Sequence, residues 1–275
     1  MTIKCSRKLI GRNIGNQDLK PIGRKINGDY IFIVADGHGG NKTVNKINSI
    51  EKIICNIASK KDTKNAMKFI KNKCKKFEDG AMISIIKFNM NDSDPKIEIC
   101  WYGDCMTVLY DKNKDIIFKT TTHDLSDNDL TYTSNQIMDM GYEIALNEKK
   151  FKPTIDERKF ELDSSFYFRK KKKSVSTYGH VGNLGICNVD PGYFETKFEE
   201  GMKIISGSDG IWDVIHPECQ FIKETKSAKD LAKYALKRWH DEYDFYRHDN
   251  IVMKKRKIAE TDDQRDDISV VIASI

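Results

Sequence analysis

The chain has only five prolines in 275 residues and shows no Pro-rich linker, internal repeat or low-complexity tail, so a single domain over 1–275 is expected. It also has no apolar run approaching the roughly 18 residues of a membrane-spanning helix, which excludes such a span. Lys4, Arg7 and Lys8 interrupt the first nine residues, where a secretory signal needs an apolar core and a small-residue cleavage site. An intracellular, cytoplasmic location is expected. No CxxC pair occurs: Cys5, Cys55, Cys74, Cys100, Cys105, Cys187 and Cys219 stand singly and are odd in number, against a disulfide framework or zinc site. They read as reduced thiols, mostly core filling. Aromatics are not interleaved with the basic residues, and 41 acidic side chains accompany 47 basic ones, so the net charge of +6 argues little for nucleic acid. The same charge attracts a phosphorylated protein equally well.

What is present is enough apolar material, 39% of residues, to build a sizeable core. Val44, Ile47, Ile54 and Ile57 recur at helical spacing, as do Ala66, Ile70, Cys74 and Phe77. The run from Ala228 through Leu231, Ala232, Ala235 and Leu236 to Trp239 matches the helical template without a gap. Between these lie β-like runs over 30–35, 81–88, 97–102, 106–110, 116–120, 202–206 and 268–275, several of them apolar on both faces. Strands apolar on both faces must be covered on both sides, and the order of elements argues for α+β. Residues 126–174 are polar and weakly periodic and include the basic run 169–173, which reads as a solvated, inserted flap or, more weakly, a nuclear-targeting signal.

The informative residues are carboxylates where hydrophobic runs stop. Ile31 to Ala35 leads into Asp36-Gly37-His38-Gly39-Gly40, and Ile204-Ile205 into Ser206-Gly207-Ser208-Asp209-Gly210 with Trp212-Asp213 close behind. Ile99 to Tyr102 enters Gly103-Asp104, and Asp266-Asp267 opens the last run. Any one Asp-Gly after a strand is ordinary turn chemistry. Four carboxylate clusters at one end of a sheet repel one another unless cations neutralise them, and hard oxygen donors without a His/Cys set point to Mg²⁺ or Mn²⁺.

In this order, with Arg12 and Asn16-Gln17-Asp18 ahead of them, these blocks resemble the metal-dependent protein serine/threonine phosphatases of type 2C, the PPM-type family. The resemblance implies a central antiparallel β-sandwich flanked by helices on both sides, four layers in the order αββα, with metals at one end. It implies hydrolysis of phosphoserine and phosphothreonine in proteins by a hydroxide bridging two Mg²⁺ or Mn²⁺ ions. Asp36 would bridge the two metals, the Gly37 carbonyl would bind the first, and Asp209 and Asp266 would hold the second. Asp104 and Asp213 would hold a weaker third metal, and Asp18 outer-shell water. Arg12 would grip the phosphate, because its planar fork donates two parallel hydrogen bonds and keeps its charge. His38 would protonate the departing oxygen. A phosphorylated protein substrate and a monomer are expected.

The chain departs from the family pattern at Gly80-Ala81-Met82, at Cys105-Met106, in the order His123-Asp124, and in a short segment from 41 to 79. The family's Ser-Arg-x-x-Gly-Asp block appears as Tyr178-Gly179-His180-Val181-Gly182-Asn183. The alternative function is a catalytically silent relative that binds a phosphoprotein or other partner. Such relatives typically lose metal carboxylates, whereas Asp36, Asp209 and Asp266 are all retained.

Overall fold

The computed structural model describes residues 3–12, 15–90, 95–123, 143–145, 167–170, 173–176, 180–182, 190–240, 243–246, 252–256 and 265–274. The chain opens with strands β1 (Lys4–Ile10), β2 (Ile22–Ile26) and β3 (Asp29–His38). Helices α1 (Lys42–Ser49), α2 (Glu51–Lys60) and α3 (Thr63–Cys74) follow, then β4 (Gly80–Asn89), β5 (Lys96–Tyr102), β6 (Met106–Tyr110) and β7 (Ile116–Lys119). Short strands β8 (Glu143–Ala145), β9 (Tyr167–Lys170), β10 (Lys173–Ser176) and β11 (Val181–Gly182) precede β12 (Gly192–Lys197) and β13 (Lys203–Gly207). The chain ends with α4 (Asp209–Trp212), α5 (Gln220–Glu224), α6 (Ala228–His240), the hairpin β14 (Tyr243–Tyr246) and β15 (Val252–Arg256), and β16 (Ile268–Ser274).

Two antiparallel sheets carry the architecture. One runs β12-β5-β4-β3-β2 with β11 added to the start of β4, and the other runs β1-β16-β13-β6-β7. Strand alternation explains why both faces are apolar. Ile31, Ile33 and Ala35 of β3 pack outward with Ile47, Ile54 and Ile70 of α1–α3, whereas Phe32 and Val34 point inward to Leu109 and Val271 of the opposite sheet. On that sheet Ile268, Val270 and Ile272 pack outward with Leu231, Ala235 and Trp239 of α6. Three cores thus separate four layers, helices–sheet–sheet–helices, and each fully buried Ile or Phe contributes about 2 kcal/mol of transfer free energy. At the centre of the inter-sheet core a chain of hydroxyls joins the sheets: Ser84 of β4 lies 2.7 Å from Thr107 of β6, which donates to Ser206 of β13 at 2.8 Å.

Local differences from the sequence expectation have physical causes. The first amphipathic stretch is two helices, bent at Ile50 (φ −112°, ψ 14°), and the bend keeps Ile47, Ile50 and Ile54 all buried against the sheet. Phe77 lies past the end of α3, in a turn whose N–H donates to Cys74 O at 2.9 Å. Cys55, Cys74, Cys100 and Cys105 are buried free thiols, as expected, while Cys5 is exposed. The flap expected over 126–174 lies mostly outside the described residues; β8 and β9, together with β10, form a small antiparallel sheet in which Lys170 and Lys173 are backbone partners. No helix among the described residues is long and apolar enough to cross a membrane.

Candidate metal centre

The acidic residues singled out in the sequence meet at one end of the sandwich. Asp36 is inside β3, two residues before its end, and not in the turn; the left-handed turn comes at Gly39 and Gly40 (φ 72° and 152°). Gly37 serves a different need. A Cβ there would meet the Gln17 carbonyl at 2.4 Å and Val44 at 2.8 Å, so its lack of a side chain lets the 16–19 segment lie along the strand, where Leu19 N–H donates to Ala35 O at 2.8 Å. Gly210 repeats the device on the other sheet: a Cβ would fall 1.8 Å from the Asp267 carbonyl. Each Asp-Gly pair therefore marks a place where a second backbone passes close to the aspartate.

One oxygen or nitrogen from each of Asp36, His38 and Asp209 lies within 4.8 Å of the others. His38 Nδ1 is 3.4 Å from Asp36 Oδ1, and its side chain is 25% exposed. Asp18, 5% exposed, accepts a 2.8 Å hydrogen bond from the Ser208 hydroxyl, which in turn accepts the Ser269 N–H at 3.0 Å. Asp266 Oδ1 accepts the N–H of Asp267 at 2.7 Å. Asp213 follows α4 and feels the charges of Asp209, Asp266 and Asp104. The short helix α4 is pinned by two indoles, with Trp239 donating to Gly210 O at 2.8 Å and Trp212 to Met106 O at 3.0 Å.

Burial, and then the charge of Asp209, holds the carboxyls of Asp18, Asp36 and Asp213 well above the usual carboxylate range. The same causes raise Asp266 to about 7. Burial lowers His38 against the opposing pull of Asp209. At the far end of β3 the situation is different: buried Asp29 and Glu98 are answered by the Lys87 ammonium, 3.9 and 3.2 Å away. At the site end Arg12 is engaged with Asp267. Asp36 Oδ2, 3% exposed as a residue, and Asp209 Oδ1 are buried with no hydrogen-bond partner among the described residues. Orphaned anionic oxygens beside mutually repelling carboxylates fit a bound divalent cation, and the donors are hard oxygens with one imidazole.

Several residues that shape the site have roles that the sequence does not disclose. Asp267, 1% exposed, accepts the backbone N–H groups of Arg12 at 2.6 Å and Gln17 at 2.8 Å, together with Arg12 Nη2 at 3.4 Å. Arg265 donates to Gly11 O at 2.7 Å and fastens the same strap. The His123 ring accepts the Gly103 N–H on Nδ1 at 3.2 Å and the His123 backbone N–H donates to Gly103 O at 3.1 Å, fixing the turn (Gly103 φ 93°) that carries Asp104. Burial lowers His123 to about 4, so it is neutral at pH 7 and can accept. Asp124 lies outside the described residues.

No protein-family model and no curated protein matches the sequence. Solved structures do match. The photosystem II phosphatase PBCP superposes with a TM-score of 0.59 at 14% identity, over 100% of this chain and 99% of its own. The S. agalactiae serine/threonine phosphatase gives 0.55 at 16%, over 100% of both chains. The fold is that of the type 2C phosphatases. RsbX, solved with magnesium, shares it as well, with a TM-score of 0.56 at 13% identity over 98% of this chain and 94% of that one. In type 2C terms the two sheets here supply different parts of the acidic end: Asp36 comes from the β3 sheet, Asp209 and Asp266 from the segments that flank β13 and β16.

Proposed function

We propose that this chain is a divalent-metal-dependent phosphatase acting on phosphoserine and phosphothreonine in proteins. The observation that carries the reading is the convergence of Asp36, His38 and Asp209 around carboxylate oxygens that have no described partner. Asp36, the Gly37 carbonyl, Asp209 and Asp266 would hold a pair of Mg²⁺ or Mn²⁺ ions and Asp104 and Asp213 a weaker third, with the buried Asp18 holding outer-shell water. When bound, such ions neutralise the carboxylates, lower the pKa of a water and screen the phosphoryl oxygens.

The side chains supply the rest. Asp267 holds the Arg12 backbone and one guanidinium nitrogen, which aims the remaining N–H groups of the fork at a phosphate beside the acidic cluster. His38 turns Nδ1 toward Asp36, so Nε2 faces away from that carboxylate and can deliver a proton. As the bond from phosphorus to the serine oxygen breaks, that oxygen takes the proton from His38, the hydroxyl of water ends on phosphorus, and water's other proton is released to solvent, from which His38 is reprotonated. The low pKa of His38 makes its protonated form a stronger acid but leaves less of it at neutral pH.

The test is hydrolysis of a phosphothreonine peptide with Mn²⁺, with Mg²⁺ and with excess chelator. Turnover should require a divalent ion. Persistent turnover in chelator refutes the metal reading, and Mn²⁺ binding without turnover would identify a silent binding protein instead.

A further inference from the structure

The divergent block Tyr178 to Asn183 delivers a second imidazole to the site. Val181 and Gly182 of β11 pair with Ala81 and Gly80 at the start of β4, and Gly80 pairs on its other side with His38 of β3. His180, just ahead of β11 and 4% exposed, lies over Gly80: a Cβ on that glycine would sit 2.8 Å from both Cβ and Cδ2 of the histidine. Because Gly80 has no side chain, the His180 ring reaches across it to His38, and the two rings meet edge-to-face with centroids 5.4 Å apart and an interplanar angle of 80°. The backbone under His180 is closely packed. Gly182 has φ 120°, and a Cβ there would strike Asp79 O at 2.4 Å. Asp79 in turn accepts the N–H of Lys42 at 2.5 Å and the Thr43 hydroxyl at 2.8 Å, locking the start of α1 to β4.

We propose that His180 is a positioning residue that fixes the ring of His38, so that Nδ1 stays on Asp36 and Nε2 stays directed at the departing oxygen. A ring in contact with Asp36 on one edge still has freedom to swing about its Cβ bond; an aromatic neighbour over Gly80 removes that freedom. The inference rests on the phosphatase reading and on His38 as the acid in it, and it assigns the divergent block a task at the reacting end of the molecule.

The test uses two variants that both fill the space over Gly80. His180→Phe keeps an aromatic ring against His38, and His180→Leu does not. With saturating Mn²⁺, His180→Leu should lower kcat on a phosphothreonine peptide about tenfold, a fraction of the usual general-acid contribution, and on p-nitrophenyl phosphate by less than about threefold, because nitrophenolate leaves without a proton. His180→Phe should stay within about threefold of wild type on both, and His38→Ala/His180→Leu should lose no more than His38→Ala alone. Equal losses on the two substrates, or additive losses in the double variant, overturn the proposal. A readout independent of turnover is the imidazole ¹H–¹³C correlation of His38 in metal-free protein, assigned by its loss in His38→Ala. It should shift in His180→Leu through the lost ring contact, and an unmoved signal also overturns the proposal. Wild-type protein inactive on both substrates refutes the phosphatase reading instead, while the resonance of His38 still decides whether His180 holds the ring.

Discussion

Removing metal should reverse the pH dependence of stability. In metal-free protein Asp266 is raised from near 3.8 to about 7, so between those values the folded state keeps a proton that the unfolded chain has released. Stability from this group is therefore fully present below the unfolded pKa and lost as pH rises through the folded one. The buried His123, lowered to about 4, opposes this by about 2 kcal/mol on going from pH 8 to pH 5, while the gain from Asp266 over that range is about two pKa units, or about 3 kcal/mol, an upper value because solvent relaxes around the cluster. Asp18, Asp36 and Asp213 are shifted in the same direction. For a chain of this length 3 kcal/mol corresponds to about 5 °C in Tm. The assay is thermal unfolding in chelator at pH 5 and pH 8, repeated with saturating Mn²⁺. In chelator the protein should melt higher at pH 5. With Mn²⁺ the order should invert, because the carboxylates must be deprotonated to bind and the ion stabilises the folded form by mass action. Asp209→Asn, which removes the charge at the centre of the cluster, should raise Tm in chelator at pH 8 and abolish most of the Mn²⁺ response. A difference in Tm between pH 5 and pH 8 in chelator that Asp209→Asn leaves unchanged would refute the claim that these carboxylates repel one another uncompensated, because the opposing contribution of the buried His123 is the same in both proteins.

Other outcomes follow from the same geometry. In metal titrations by calorimetry, Asp209→Asn should lose the tight binding event, whereas Asp104→Asn should keep it and lose only a weaker one; identical losses would merge the two sites. Asp267→Ala removes the acceptor of two backbone N–H groups and should cost about 3 kcal/mol in urea unfolding, at the usual 1–3 kcal/mol per orphaned buried donor. The same variant should raise KM for a phosphopeptide more than it lowers kcat, since it loosens Arg12; an unchanged KM would remove Arg12 from phosphate binding.

The parts of the molecule that could be read from sequence are those where a single local pattern decides the outcome. Asp36, Asp209 and Asp266 stand out because each lies within a few residues of the end of an apolar run, and a sheet covered on both faces leaves such runs unmistakable. Edge strands β1 and β2 carry no such run for the complementary reason: β1 reads Lys-Cys-Ser-Arg-Lys-Leu-Ile and has no fully buried residue, so its charges look like those of a loop, and β2 carries Arg24 and Lys25 outward. Asp267, Ser208 and His180 act through residues 250, 190 and 142 positions away in the chain, and no spacing rule reaches that far. The glycines of the two Asp-Gly pairs illustrate a motif recognised for an incomplete reason. They look like turn formers, yet neither has a positive φ, and what demands them is the backbone of another segment passing within van der Waals range.

The hydroxyl chain from Ser84 through Thr107 to Ser206 bears on the acidic end of the sandwich. Two sheets held together only by apolar side chains can slide by a fraction of an ångström with little change in contact energy, since dispersion has no preferred register. Hydrogen bonds of 2.7 and 2.8 Å do not permit that slip. The strand bearing Asp36 pairs with the one bearing Ser84, and Ser206 sits three residues before Asp209. The three hydroxyls therefore act as a rivet through both plates, setting the shear between them and with it the gap across which Asp36 and Asp209 face each other.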